Sequence, residues 1–151
     1  MRRAQQRRSG ATVVECALVY PVFLLLVLGL LVGAAGIFRY SQLASLTREA
    51  ARYASVHGGQ YAREMKVTAP TPADIYNNAV LPRAEGFDTS LLNYSITYNS
   101  SNFPYHTTLD ASNNVIPVQN TVTVTLTYQW VPEAFLGGVT LSATSVMPMS
   151  Y

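Results

Sequence analysis

The chain has 151 residues, 49% of them hydrophobic and only 12% charged, with a formal net charge of +2 at pH 7. A chain of that size with a membrane segment leaves room for one small domain at most, and its low charge suits an anchored protein better than a soluble enzyme. The positive sign is local: Arg2, Arg3, Arg7 and Arg8 are four of the ten basic residues, and without residues 1–10 six basic face eight acidic side chains, a formal −2, which removes the case for nucleic-acid binding.

Residues 16–38 form a run of 23 positions without a charged side chain. At about 1.5 Å of rise per residue such a helix covers roughly 34 Å, enough to cross a hydrocarbon core of about 30 Å with modest tilt. A secretory signal peptide is the competing reading, with small residues at Gly33-Ala34-Ala35-Gly36. The run exceeds the roughly 7–15 residues of a signal's apolar region, and Glu15 at its mouth is out of place there. Positive residues stay on the cytoplasmic side of a span. The arginines at 2, 3, 7 and 8 therefore place the N-terminus inside, although Arg39, Arg48 and Arg52 weaken the bias.

Glu15 is the one acid before the span. An ionised carboxylate costs about 2.5–3.5 kcal/mol at a membrane helix centre on insertion scales and less at the edge, so it calls for a partner or a use. The residues alone leave two readings. Glu15 snorkels to the headgroups, or a cut after Gly10 creates an amine at Ala11 that meets the Glu15 carboxylate of the same or a neighbouring chain. Within the span, Pro21 removes a backbone hydrogen bond and loosens the helix near its start. Gly29 and Gly33 make a GxxxG face on which a second helix can approach closely, though small residues are common in spans.

Past Arg39, Leu43, Leu46, Ala50, Tyr53 and Ala54 keep the helical period, with Gln42, Arg48, Glu49 and Arg52 on the other side. Gly58-Gly59 reads as the stop, with His57 a helix-end residue rather than a ligand. The spacing predicts one helix from Thr12 to Val56. Residues 60–71 read as a linker. Thr71-Pro72-Ala73-Asp74 opens a second helix of about ten residues, with Ile75, Ala79 and Val80 as its apolar face and Pro82 as its end.

Three strands follow from period-two alternation, at Leu92, Tyr94, Ile96 and Tyr98, at Val122, Val124, Leu126, Tyr128 and Trp130, and at Val139, Leu141 and Ala143. They predict a small antiparallel sheet covered by the outer half of the long helix and the helix at 72–81. Residues 99–119 are too long for a simple hairpin and read as flexible filler. The fold class expected is α+β: a long transmembrane helix continuing outside the membrane, and a small three-stranded antiparallel sheet packed on helix. The expected divisions are a leader at 1–10, a transmembrane helix at 11–38, its extracytoplasmic continuation at 39–59 and an α+β domain at 60–151.

No nucleophile elbow, phosphate-cradling glycine loop or HExxH is present. His106 near Asp110 imitates part of a triad, a pairing common by chance. Cys16 is the single cysteine, inside the span, so no intrachain disulfide forms, and Cys16, His57 and His106 are too scattered to assemble a zinc site. The expectation is a non-enzyme without cofactor, metal or small-molecule substrate.

The run Arg7-Arg8-Ser9-Gly10-Ala11-Thr12-Val13-Val14-Glu15, followed by Cys16-Ala17-Leu18-Val19-Tyr20-Pro21 and the long apolar helix, resembles the type III signal of type IV pilins. More narrowly it is similar to TadE-like pseudopilins of tight-adherence (Flp-type) pilus systems, as is Arg48-Glu49-Ala50-Ala51-Arg52-Tyr53-Ala54. The resemblance covers about residues 7–59, and Cys16 departs from the aromatic expected after the glutamate. It implies cleavage between Gly10 and Ala11 by a prepilin peptidase, with Glu15 used in recognition or assembly. It further implies insertion in a bacterial inner membrane with the N-terminus cytoplasmic, pilin-like subunits and pilus assembly proteins as partners, and the role of a minor pseudopilin. The size argues against the major subunit. The alternative from another class is an uncleaved bitopic envelope protein whose outer domain binds a partner or surface polymer.

Overall fold

The computed structural model describes residues 6–132 and 137–151, with their side chains except those of 6–9 and 11. Arg2, Arg3 and the side chains of Arg7, Arg8 and Ala11 lie outside the described residues, as does part of the connection at 131–138. The chain forms two units, Met1–Phe38 and Arg39–Tyr151.

The first unit is built on the opening part of α1, a helix that runs Gln6–Val56 and continues across Pro21. Apart from the carbonyl that Pro21 leaves without its donor, its backbone polar groups are satisfied along the helix, as a hydrocarbon environment demands. Leu18, Leu25, Leu30 and Ile37 along it are each 69–75% exposed. In water that surface would forgo about 25 cal/mol per Å² of burial, whereas in lipid nothing is forgone. Among the described residues α1 is the helix long and apolar enough to cross a membrane, with a mean hydropathy of 2.6 over its most apolar 18-residue window.

The second unit begins with the outer part of α1 and adds α2 (Gly59–Met65) and α3 (Pro72–Ile75). Five strands follow: β1 (Leu92–Tyr98), β2 (Tyr105–Leu109), β3 (Val115–Gln119), β4 (Thr121–Trp130) and β5 (Val139–Pro148). An antiparallel sheet has the order β1-β4-β5, with Ile96 opposite Val124 and Leu126 opposite Ala143. The fold is α+β, as the patterning predicts. In the central strand Val122, Val124, Leu126 and Tyr128 are buried, and they join Leu43, Leu46, Ala50, Ala51, Ala54, Ile75, Ala79 and Val80 in one core. Helical residues thus cover the inner face of the sheet.

The packed stripe of α1 differs in detail from the one read off the sequence. Ala51, Thr47 and Ser55 are buried with the alanines, whereas Tyr53 is half-buried and stacks on His57 at 4.0 Å. Small side chains bring the helix close to the sheet, and each polar one is satisfied. The Thr47 hydroxyl donates to the Leu43 carbonyl at 2.7 Å and the Ser55 hydroxyl to the Pro148 carbonyl at 2.6 Å. Ser55 also holds the C-terminal tail, its carbonyl accepting from the Ser150 and Tyr151 N–H groups at 3.0 and 3.2 Å.

α1 stops at Val56, just ahead of Gly58-Gly59 as the sequence predicts. Three expectations need correction. Residues 60–71 are not all linker: Gly58 is extended (φ −78°, ψ −165°) and caps α2, so part of that stretch is helical. Glycine is needed at 58 because a Cβ there would run into the Tyr151 carbonyl oxygen and lie 2.5 Å from the Asn102 carbonyl oxygen. Lys66, in the left-handed region (φ 56°), ends α2. Around Thr71 the reading holds, with a capping box in which Thr71 and Asp74 exchange hydrogen bonds. The α-helix there is short, however: a π-helical turn (Tyr76–Val80) succeeds it, and Pro82 sits inside a 3₁₀ turn (Leu81–Arg83), where its missing N–H is harmless. Lastly, 99–119 is not filler. It contains an antiparallel ribbon of β2 and β3 whose turn is held by the Asp110 carboxylate, which accepts from the Ser112 and Asn114 N–H groups at 2.8 and 2.9 Å.

Fully buried Asn120 ties that ribbon to the rest. Its side-chain amide donates to Ser101 Oγ (2.9 Å) and the Phe103 carbonyl (2.8 Å), and its oxygen accepts from His106 Nδ1 (2.6 Å). Its backbone N–H donates to Pro104 and its carbonyl accepts from Met149. Asn120→Ala strands those partners and should lower unfolding free energy by about 1–3 kcal/mol, read in denaturant titrations of the detergent-solubilised chain through Trp130 fluorescence.

Hydrogen bonds to their carboxylates hold Asp74, Asp88 and Asp110 below the ordinary value of 3.8, chiefly from the Thr71 and Ser90 side chains for the first two and the Asn114 backbone for the third. Burial raises Tyr76 and Tyr98 above the ordinary 10.0, Tyr94 adding to the effect at Tyr76. The carboxylates therefore contribute stability that is complete above 3.8 and lost as pH falls through their lowered folded values. The tyrosines contribute stability present below 10.0 and lost as pH rises through their raised folded values. Thermal melts across pH should show a plateau bounded on these two sides, and Asp74→Asn should flatten part of the acid limb.

Candidate functional site: the entrance of the apolar helix

The candidate residues occupy the start of α1. Helical geometry sets Ala11 and Glu15 four residues apart on one face, separated by a single turn. Glu15 is exposed, as are Val13 and Val14 on the following faces. A Cβ added at Gly10 would meet nothing within 4 Å. The bond from Gly10 to Ala11 lies in helical backbone. Glycine in a helix interior costs about 1 kcal/mol relative to alanine, so the helix is locally weaker there.

Further along, Pro21 is interior to α1 and leaves the carbonyl of Ala17 without its usual donor. Leu18, Val19, Val22, Phe23 and Leu26 line a shallow apolar depression on the same stretch. Gly29 and Gly33 share a face, and a Cβ at either meets nothing within 4 Å, so that face is open along the backbone. Cys16 is a free thiol.

The second unit brings no catalytic constellation together among its described residues. His106 Nδ1 is engaged by Asn120, and Asp110 spends its carboxylate on its own turn, so the triad-like pair does not form. His57 bonds the Tyr53 carbonyl through Nδ1 at 2.9 Å, stacks on the Tyr53 ring and meets the Tyr61 ring edge-on, a helix-end role. No group of three or more His, Cys, Asp or Glu is placed to hold a metal among the described residues. Two open grooves flank α1. One of about 420 Å³ is lined by Gln42, Glu49, Arg83 and Phe87, with Arg83 paired to Glu49 at 3.4 Å. The other, about 310 Å³, is lined by Tyr53, His57, Tyr61 and Pro70.

The β2–β3 ribbon went unread in the sequence although a signal for it exists. Asp110 and Asn113, residues that favour tight turns, stand between Tyr105-His106-Thr107-Thr108-Leu109 and Val115-Ile116-Pro117-Val118. Pro117 and the run of polar residues mask the second strand.

No curated protein and no solved structure matches the chain. A family model does: residues 10–52 match that of the TadE-like proteins, beginning at Gly10 and taking in Glu15, the whole apolar run and most of the α1 residues in the core. Over that segment the chain is similar to the TadE-like proteins, a likeness consistent with the tight-adherence system.

Proposed function

We propose that the chain is a minor pseudopilin that takes part in assembling a tight-adherence pilus. The observation that carries this reading is the coincidence, in one segment, of the TadE-like match at 10–52 with Gly10, Glu15 and a helix whose apolar surface is bare on every side. In this reading the chain is held by a single span in a bacterial inner membrane, with its N-terminus cytoplasmic and its sheet domain outside. It acts by packing rather than by catalysis.

A prepilin peptidase hydrolyses the Gly10–Ala11 amide. Water adds across the bond, leaving a carboxylate on Gly10 and a protonated amine on Ala11. That amine sits one turn from the Glu15 carboxylate, or meets the Glu15 of a neighbouring subunit, and the pairing offsets the cost of holding an acid at the bilayer edge. Glu15 also lies near the positive end of the mature helix, which favours it further. The apolar helix is then a polymerisation handle. The loosened turn at Pro21 eases its withdrawal from lipid, and Gly29 and Gly33 offer a neighbouring helix a close approach.

Intact mass of the chain purified from its native membrane should correspond to a start at Ala11; a start at Met1 in cells with active peptidase would leave the uncleaved bitopic protein as the better reading. Gly10→Ala should block maturation by both adding a Cβ at the cut and stiffening the helix, and unchanged processing would remove Gly10 from its assigned role. Glu15→Ala should still mature yet be recruited poorly to the pilus machinery, measured by co-purification with pilin-like subunits. Normal recruitment of that variant would defeat the charge-pairing account.

A further inference from the structure

The β2–β3 ribbon presents an unused edge and an uncovered face. The Asn120 N–H donates to the Pro104 carbonyl and the Asp110 N–H to the Asn114 carbonyl. Antiparallel partners alternate between hydrogen-bonded and non-bonded pairs, so His106 with Val118 and Thr108 with Ile116 are bonded pairs between these ends. Tyr105, Thr107 and Leu109 consequently point their N–H and C=O groups away from β3. Among the described residues no backbone partner meets them. Pro117, opposite Thr107, is also an outward position. Its missing N–H therefore blunts the outer edge of β3 at no cost to the ladder, leaving β2 as the open edge.

The side chains agree with the backbone. Tyr105, Leu109 and Val115 lie on one face of the ribbon with Thr107 and Pro117, and they are 59%, 57% and 67% exposed. A two-stranded ribbon is marginal by itself and gains from further strands. The edges of β1 and β5 differ, because their sheet already has its apolar face covered by helix.

We propose that β2 is a homotypic docking edge, pairing antiparallel with β2 of a second copy about a two-fold axis at Thr107 to make one four-stranded sheet. The strand is self-complementary in that register. Thr107 faces Thr107 of the second copy, and Tyr105 faces Leu109, a threonine pair and an aromatic–aliphatic pair of the kinds that stabilise sheets. Residues 105–109 carry no charged side chain, and Asp110 falls opposite Pro104, so the two carboxylates do not meet. The contact is smaller than a dimer free in water requires. Two copies anchored in one bilayer are at high effective concentration, which lets a short edge suffice; this step rests on the membrane reading.

Cross-linking of the full-length chain in membranes tests the register, with Cys16→Ser removing the native thiol. Thr107→Cys should form a disulfide-linked dimer, since residues opposite each other across such a pair have Cα atoms about 5.5 Å apart. Tyr105→Cys or Leu109→Cys alone should give about tenfold less, because each would sit roughly 14 Å from its copy. Co-expression of differently tagged Tyr105→Cys and Leu109→Cys chains should restore the cross-link between them. Equal cross-linking at all three positions, none at Thr107→Cys, or a Thr107→Cys adduct only with a chain of different mass would each overturn the proposal, the last in favour of a strand from another subunit. Leader removal does not enter the readout, so the result is independent of the maturation test.

Discussion

Backbone hydrogen bonding along α1 is the constraint on which the rest depends. A helix satisfies its own polar groups, and so a single element from Gln6 to Val56 can pass from an exposed apolar stretch to one buried against a sheet with its ladder interrupted only at Pro21. The side chains change where the surroundings change. From Ala17 to Phe38 they are apolar and mostly exposed; from Leu43 they sort into a small buried stripe and a polar rim. Pro21 is the one residue inside α1 that cannot donate to the ladder, and it falls in the apolar stretch, where membrane helices tolerate the loss.

The small residues of that stripe have a structural consequence at the other end of the chain. Ala50, Ala51 and Ala54 are fully buried, and Ser55 and Gly58 next to them leave room for the C-terminal tail. Ser55 binds Pro148, Ser150 and Tyr151, while Met149 fills the core and donates its N–H to Asn120. Asn120 in turn holds the loop before the ribbon. The last residues of the chain, the end of α1 and the root of the ribbon are therefore one hydrogen-bonded assembly. A partly satisfied version of it would be worse than an apolar replacement, because the buried amide of Asn120 has no water to turn to.

What is legible in the sequence and what is not divide along physical lines. The span is written in an unbroken absence of charge, and β4 in the alternation of Val122, Val124, Leu126 and Tyr128 with threonines. The cap at Thr71 is local chemistry and is equally plain. Gly58-Gly59 is legible only in part, because two glycines suit a stop and a close approach alike; their environment, the Tyr151 carbonyl and the Phe103 ring, comes from residues more than forty positions away. The burial of Ser55 and Asn120 has no local signal for the same reason, since their partners are distant in sequence. The ribbon escapes notice because its strands are short and carry Pro117 in an otherwise apolar run. Of the candidate site, the residue types and spacing of Gly10, Ala11 and Glu15 are visible without a structure, and helical geometry adds that the last two share a face.

The extent of the family match also bears on how the two units divide the labour. It ends at Arg52, past the span and inside the second unit, so it includes Leu43, Leu46, Thr47, Ala50 and Ala51. A pattern confined to membrane anchoring would have no use for a stripe of small residues beyond Phe38. This stripe is a platform: its spacing admits a close-packed layer, here the sheet of β1, β4 and β5. The residues outside the match, 53–151, supply that layer and the ribbon that rises from it. The apolar helix and the platform thus both fall in the segment that matches the TadE-like model, and the sheet and ribbon fall outside it. The uncharged open edge on β2 belongs to that second part of the chain and is independent of the acid at the start of α1.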